Sequence, residues 1–217
     1  MDNIVGLGSC GCNIAREFAV YPQYSVYGID SQAQDLEKFM KVAHRKSHEA
    51  YEEKFPVTRA KKFFKDIGDD VLVVVGGGGT ISGAVLRVLE VLKDKNVSVM
   101  YIRPDVQLLS YIKAMQERLT YSVLQEFARS KLINRVYLVD NLKLEDIVGD
   151  VPLKTYYKQL NSLLVPAFHM VNVLNHSQPI INTFSEPNVT ANIATLGISD
   201  LEEGEERSFF DMEYERE

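Results

Sequence analysis

The sequence predicts a doubly wound α/β fold, a parallel sheet with helices on both faces. Three observations carry this. Short β-branched runs alternate with longer segments of helical period, the pattern of strands joined by crossover helices. The run VLVVV (Val71 to Val75) is continuously apolar, as a strand covered on both faces must be. Two of the predicted strands run straight into glycine-rich turns that open helices.

Asn3 to Val5 reads as a strand, Cys12 to Ala19 as a helix and Ser25 to Ile29 as a strand. A helix is expected over Ser31 to Met40, capped by Asp30 or Ser31. Lys41 to Asp70 is polar, with a short helix at Arg59 to Asp66. The strand Val71 to Val75 leads into a helix over Ser82 to Lys93, and Val97 to Ile102 is a further strand. Val106 to Phe127 reads as a long amphipathic helix with Leu109, Ile112, Leu119 and Val123 on its apolar stripe. After a strand at Arg135 to Val139, a second long helix starts near Thr155, with Leu160, Leu163, Leu164, Ala167, Val171 and Leu174 at helical spacing. Pro166 should kink or break it. SQPIINTFSEPNV reads as loop and Ile193 to Ile198 as strand. One domain over residues 1–178 contains the long central helix; residues 179–217 are a remainder.

The composition, 46% hydrophobic and 25% charged over 217 residues, is that of a globular chain with at least one full core. Its net charge is -6, and the surplus is local. Asp200 to Glu217 holds nine acids against Arg207 and Arg216, which leaves the preceding chain at about +1. A nucleic-acid backbone is therefore not an expected partner, since binding it needs a basic face. No apolar run is long enough to span a bilayer, and MDNIVGLG is not a secretory leader, so a cytoplasmic protein without a membrane partner is expected. Cys10 and Cys12, two apart in a glycine turn, suit a reducing compartment.

In this fold every strand-to-helix turn lies at the carboxyl edge of the sheet. The turns GLGSCGCN (Gly6 to Asn13) and GGGGTISG (Gly76 to Gly83) therefore face the same side. Glycine lets the backbone approach a ligand, and the following helix presents free N–H groups to an anion. Two such turns suggest a long anion with several phosphates. Neither contains the lysine of a Walker loop, so main-chain amides and hydroxyls would do the holding. Tight packing of strand on helix is the plainer explanation for either turn alone. Gly6, Gly8 and Gly11 also spell a dinucleotide fingerprint, with Asp30 placed to grip a ribose, so an NAD-binding oxidoreductase is an alternative; it leaves the second turn unexplained.

Four segments together resemble the tubulin and FtsZ superfamily of GTP-binding proteins. GLGSCGCN resembles its first phosphate loop, and by that resemblance Gly8, Ser9, Cys10, Gly11, Cys12 and Asn13 are expected at the nucleotide. GGGGTISGA resembles the family signature, which assigns Gly77, Gly78, Gly79, Thr80, Ile81, Ser82 and Gly83 to the phosphates, with Pro104 counted in the same site. YLVDNLKLEDI is similar to the segment whose asparagine, here Asn141, meets guanine. TYYKQLNSLL resembles the start of the central helix, with Tyr157 stacking on the base and Asn161 reading its edge. Residues four apart share a helix face, so that pair makes physical sense. The resemblance implies GTP or GDP with Mg²⁺, self-association into filaments, and hydrolysis completed across a subunit contact by an acid, here Glu186 in IINTFSEPNV once one residue is deleted from the register.

The sequence also departs from the family. Ile81 replaces a signature glycine, HRKSHEAYEEKFPVTR has no counterpart of the third glycine loop, and the aspartate expected just after Asn182 is absent. Most of the second domain is missing, which invites a viral or plasmid-borne source and a host cytoplasm. A non-hydrolysing assembly protein with this fold is the alternative that these departures favour. Cys10 and Cys12 with His44 and His48 do not make a zinc finger, the C-x-C spacing being too tight. The acidic tail reads as a solubilising end or, by the resemblance, as a segment for a protein partner.

Overall fold

The computed structural model describes residues 1–149, 152, 154–176 and 192–195, apart from the side chains of Asp146 and Ile147. Seven parallel strands form one sheet: β1 (Asn3–Leu7), β2 (Ser25–Asp30), β3 (Lys38–Lys41), β4 (Asp70–Gly76), β5 (Asn96–Arg103), β6 (Arg135–Asp140) and β7 (Ile193–Thr195). Their order is β3-β2-β1-β4-β5-β6-β7, so the chain reverses direction between β1 and β4, both of which end in glycine turns. An α/β sheet opens its ligand crevice at the carboxyl ends on either side of such a reversal.

β4 shows why the sheet is buried. Val71, Val73 and Val75 enter one apolar layer, while Leu72 and Val74 enter the other; all five are fully buried. Each such side chain contributes about 1.5 to 3 kcal/mol on leaving water. The first layer is covered by α2 (His48–Glu53), α3 (Val57–Phe63), α4 (Val85–Val91) and α5 (Tyr111–Arg129). The second is covered by α1 (Gly8–Phe18), α6 (Asn141–Val148) and α7 (Tyr156–His176).

The helix expected over Ser31 to Met40 does not form. The Asp30 carboxylate accepts the Ser31 amide at 2.6 Å and the Gln34 side chain at 2.7 Å, holding the chain in bends. Lys38–Lys41 then pairs with β2, which buries Met40. The helix expected from Ser82 begins instead as a 3-10 segment, Thr80–Ala84, and turns α-helical at Val85.

The stripe expected on the long amphipathic helix is also corrected. α5 starts at Tyr111 and buries Glu117, Thr120, Leu124 and Ala128, while Ile112 and Leu119 are 67% and 62% exposed. Pro166 does not end α7. It sits at an exposed position between buried Val165 and Ala167, where the bond it removes faces water. The strand expected at Ile193 pairs with β6 and extends the same sheet; residues 196–198, Asn182 and Glu186, and the acidic stretch from Asp200 to Glu217 lie outside the described residues.

Candidate functional site at the carboxyl edge

A cleft of about 460 Å³ crosses the carboxyl edge of the sheet, within the usual size range of small-ligand sites. The turn after β1 forms part of its floor. Gly8 has φ +72°, a conformation glycine adopts without strain, and α1 begins there with no side-chain cap and no acid in its first turn. Its first amides therefore remain available to an anion. Ser9, Cys10 and Asn13 line the cleft beside Gly8. Gly11 and Cys12 do not. A β-carbon on Gly11 would strike the Val74 carbonyl, so this glycine lets α1 close onto β4; the Cys12 thiol is buried 3.4 Å from the Gly6 carbonyl.

The turn after β4 forms the other half. Gly77, Gly79, Thr80 and Ile81 line the cleft, and Gly79 has no protein atom near the place of a β-carbon. Gly78, Ser82 and Gly83 are turned away. Gly78 is left-handed, at φ +73°, and lies against Leu109. The Ser82 hydroxyl donates to the Gly79 carbonyl at 2.5 Å, and Gly83 abuts the backbone of His48. Ile81 reaches back over the first turn, its Cγ2 2.5 Å from where a Gly8 β-carbon would stand.

At the far end, Asn141, Tyr157 and Asn161 line the cleft from α6 and α7, with Pro104 nearby. Asp140 caps α6 by accepting the Leu142 amide at 3.0 Å, and Tyr156 donates to Glu145 at 3.0 Å, tying the two helices together. Tyr157 is 67% exposed and its ring meets that of Tyr156 nearly at right angles, 5.0 Å between centroids.

Asp30 is 2% exposed and lines the cleft, but its carboxylate is engaged: Ser9 Oγ donates at 2.8 Å, Gln34 Nε2 at 2.7 Å and the Ser31 amide at 2.6 Å. A carboxylate holding three donors has little capacity left to grip a ribose diol, which weighs against the NAD-type use of the first turn. The structure also brings His44 and Tyr51 into the lining, from the segment with no recognisable motif, together with Ser31 and Gln32 from the bends after β2. Only their position beside the β2 and β3 ends could have signalled them. Cys10 lines the cleft as an exposed residue.

Among the described residues no three His, Cys, Asp or Glu side chains gather as a metal site. His48 is committed elsewhere, to Thr120 at 3.1 Å. No described helix is long and apolar enough to cross a membrane.

The chain is similar in fold to solved structures of FtsZ from M. jannaschii. An empty FtsZ dimer matches with a TM-score of 0.68 at 19% identity, over 90% of this chain and 62% of that one. A tryptophan-to-tyrosine mutant of the same protein matches with a TM-score of 0.71 at 20% identity, over 92% of this chain and 66% of that one. The architecture is thus the FtsZ-type α/β fold. In sequence, the chain is 26% identical over 128 residues to the tRNA modification GTPase MnmE of Alkaliphilus oremlandii; the match covers 58% of this chain and 26% of MnmE. The chain therefore spans less than two thirds of each of these proteins. No protein-family model matches it.

Proposed function

We propose that this chain binds GTP or GDP across the carboxyl edge of its sheet and self-assembles, with hydrolysis completed at a subunit contact. The observation that carries the reading is one continuous cleft. It joins two glycine turns, after β1 and β4, to an amide and an aromatic ring four residues apart on α7. Gly8, Gly77 and Gly79 allow close approach of phosphates, the first amides of α1 face them, and Thr80 adds a hydroxyl. Tyr157 stacks on the base, while Asn161 and Asn141 supply the donor and acceptor groups that read a purine edge. The GTPase MnmE and the FtsZ fold support the same ligand class.

Mg²⁺ bound with the nucleotide would be held mainly by phosphate oxygens and water, as is usual for this ion; among the described residues lining the cleft the one carboxylate, Asp30, is already engaged by Ser9, Gln34 and the Ser31 amide. When bound, it neutralises charge on the phosphates during transfer. Glu186, outside the described residues, is the acid proposed to orient the attacking water on the neighbouring subunit's nucleotide. The second reading, a non-hydrolysing assembly protein, is favoured by Ile81, whose side chain fills space between the two glycine turns.

GTP turnover per subunit, measured as protein concentration rises and alongside electron microscopy for filaments, separates the two. Turnover that climbs with concentration, and that Glu186→Ala abolishes without weakening binding, supports trans hydrolysis. Flat or absent turnover with GTP bound leaves the assembly protein.

A further inference from the structure

α5 turns a row of large apolar side chains to solvent. Tyr111, Ile112, Met115 and Leu119 recur at helical spacing along its outer face, and Leu108 precedes them; each is more than half exposed. Single exposed apolar residues are ordinary, whereas five along one face make a continuous patch of the kind another surface covers.

The patch is also cationic. At about 100° per residue, Lys113 and Arg118, both exposed, flank the row on opposite sides. The acid within this stretch, Glu117, is buried, and Glu126 beyond it is paired with Arg129 at 2.7 Å. A second copy's α5 would bring the same two cations and no acid to meet them.

The complement lies in this chain's own sequence. Residues 200–217, outside the described residues, hold nine acids against Arg207 and Arg216. Over residues 210–215 apolar and acidic side chains alternate strictly, Phe210, Met212 and Tyr214 against Asp211, Glu213 and Glu215. An extended chain puts successive side chains on opposite sides, so the three apolar residues share one face. From Phe210 to Tyr214 such a chain runs about 13 Å, and Tyr111 to Leu119 spans about 12 Å of helix. The acids then stand within reach of the long Lys113 and Arg118 side chains.

The connection is long enough. β7 is parallel to β5 and two strands from it, roughly 10 Å, so it ends at the carboxyl edge from which α5 sets out. Residues 196–210 can span up to about 50 Å.

We infer that residues 210–215 dock on the outer face of α5 of the same chain, with Phe210, Met212 and Tyr214 on Ile112, Met115 and Leu119 and the acids beside Lys113 and Arg118. Removal of the patch from water drives the contact, and the charges set its register.

The chain has no tryptophan, so Phe210→Trp in the full chain gives a single fluorescent reporter. Its emission should be blue-shifted and shielded from acrylamide, equally at low and high protein concentration. Ile112→Asp with Leu119→Asp, at positions already in water, should return the emission to that of an exposed indole without altering the far-UV circular dichroism. Lys113→Glu with Arg118→Glu should do so through charge alone. An exposed indole in the parent, or emission that neither pair of substitutions moves, overturns the inference. So does shielding that is lost on dilution, which places the segment on a second copy.

Discussion

Ile81 of the second glycine turn lies directly over Gly8 of the first, its Cγ2 2.5 Å from the position of a Gly8 β-carbon. Two constraints therefore meet at Gly8: a left-handed backbone and an occupied neighbour. Gly8→Ala should destabilise the protein by about 2 to 4 kcal/mol, roughly 1 to 2 from the backbone and the rest from forcing a stiff β-branched side chain aside. In an Ile81→Ala background the cost should shrink to the backbone part alone. Denaturant titration of the two single variants and the double variant checks this, and additive costs would show that the two turns do not touch as described.

Asn172 ties α7 to the start of the sheet. It is 7% exposed and its Nδ2 donates to the Tyr24 hydroxyl and to the Met1 carbonyl, both at 3.0 Å. Asn172→Leu leaves the Tyr24 hydroxyl and that carbonyl without their donor, and should cost about 1 to 3 kcal/mol by thermal or chemical unfolding.

Glu117 of α5 is 1% exposed, and its Oε1 has no hydrogen-bond partner; Arg103 is 3.8 Å away. Burial raises its pKa above the ordinary carboxylate value, with Arg103 opposing. A carboxyl with a raised folded-state pKa keeps its proton after the unfolded chain has lost it, so its contribution to stability declines as pH rises above the ordinary carboxylate range. Glu117→Gln should remove that decline. Unfolding curves of both proteins between about pH 4 and pH 8 should converge at the acid end and separate, in favour of the variant, toward neutrality.

Cys10 lines the cleft and Cys12 is fully buried. Burial pushes the Cys12 thiol up to about 12, so it should react slowly with alkylating reagents at neutral pH, whereas the exposed Cys10 should react faster. Modification should occur first at Cys10 and be slowed by GTP, with Cys12 labelled only on unfolding. Mass spectrometry after timed alkylation reads both sites, and GTP-independent labelling of Cys10 would place the ligand elsewhere.

The fold was legible because its signals are local. VLVVV announces a strand buried on both faces, and the glycine turns mark where β1 and β4 end. The misreadings arose where tertiary contacts overruled local pattern. Asp30 gathers the amide of Ser31 and the side chains of Ser9 and Gln34, which replaces a plausible helix by bends and an edge strand. α5 buries Glu117 and Thr120 while leaving Ile112 and Leu119 in water, an inversion that hydrophobic spacing cannot foresee.

The candidate site divides in the same way. Gly8, Gly79, Asn141, Tyr157 and Asn161 line one cleft, whereas Gly11 and Gly83 serve close packing of backbone on backbone. His44 and Tyr51 arrive from a segment with no glycine or motif, through the course of the chain after β3. Only the strand order brings them to the cleft.

The central claim, that this cleft takes a guanine nucleotide, is tested most directly by thermal unfolding with GTP, GDP and NAD(H) in parallel. A ligand that binds only the folded state at 100 times its dissociation constant stabilises by about 2.7 kcal/mol, a shift readily seen in the melting temperature. The account predicts stabilisation by GTP and GDP with Mg²⁺ present, lost in Asn161→Ala, and none by NAD(H). Stabilisation by NAD(H) without stabilisation by GTP would contradict it.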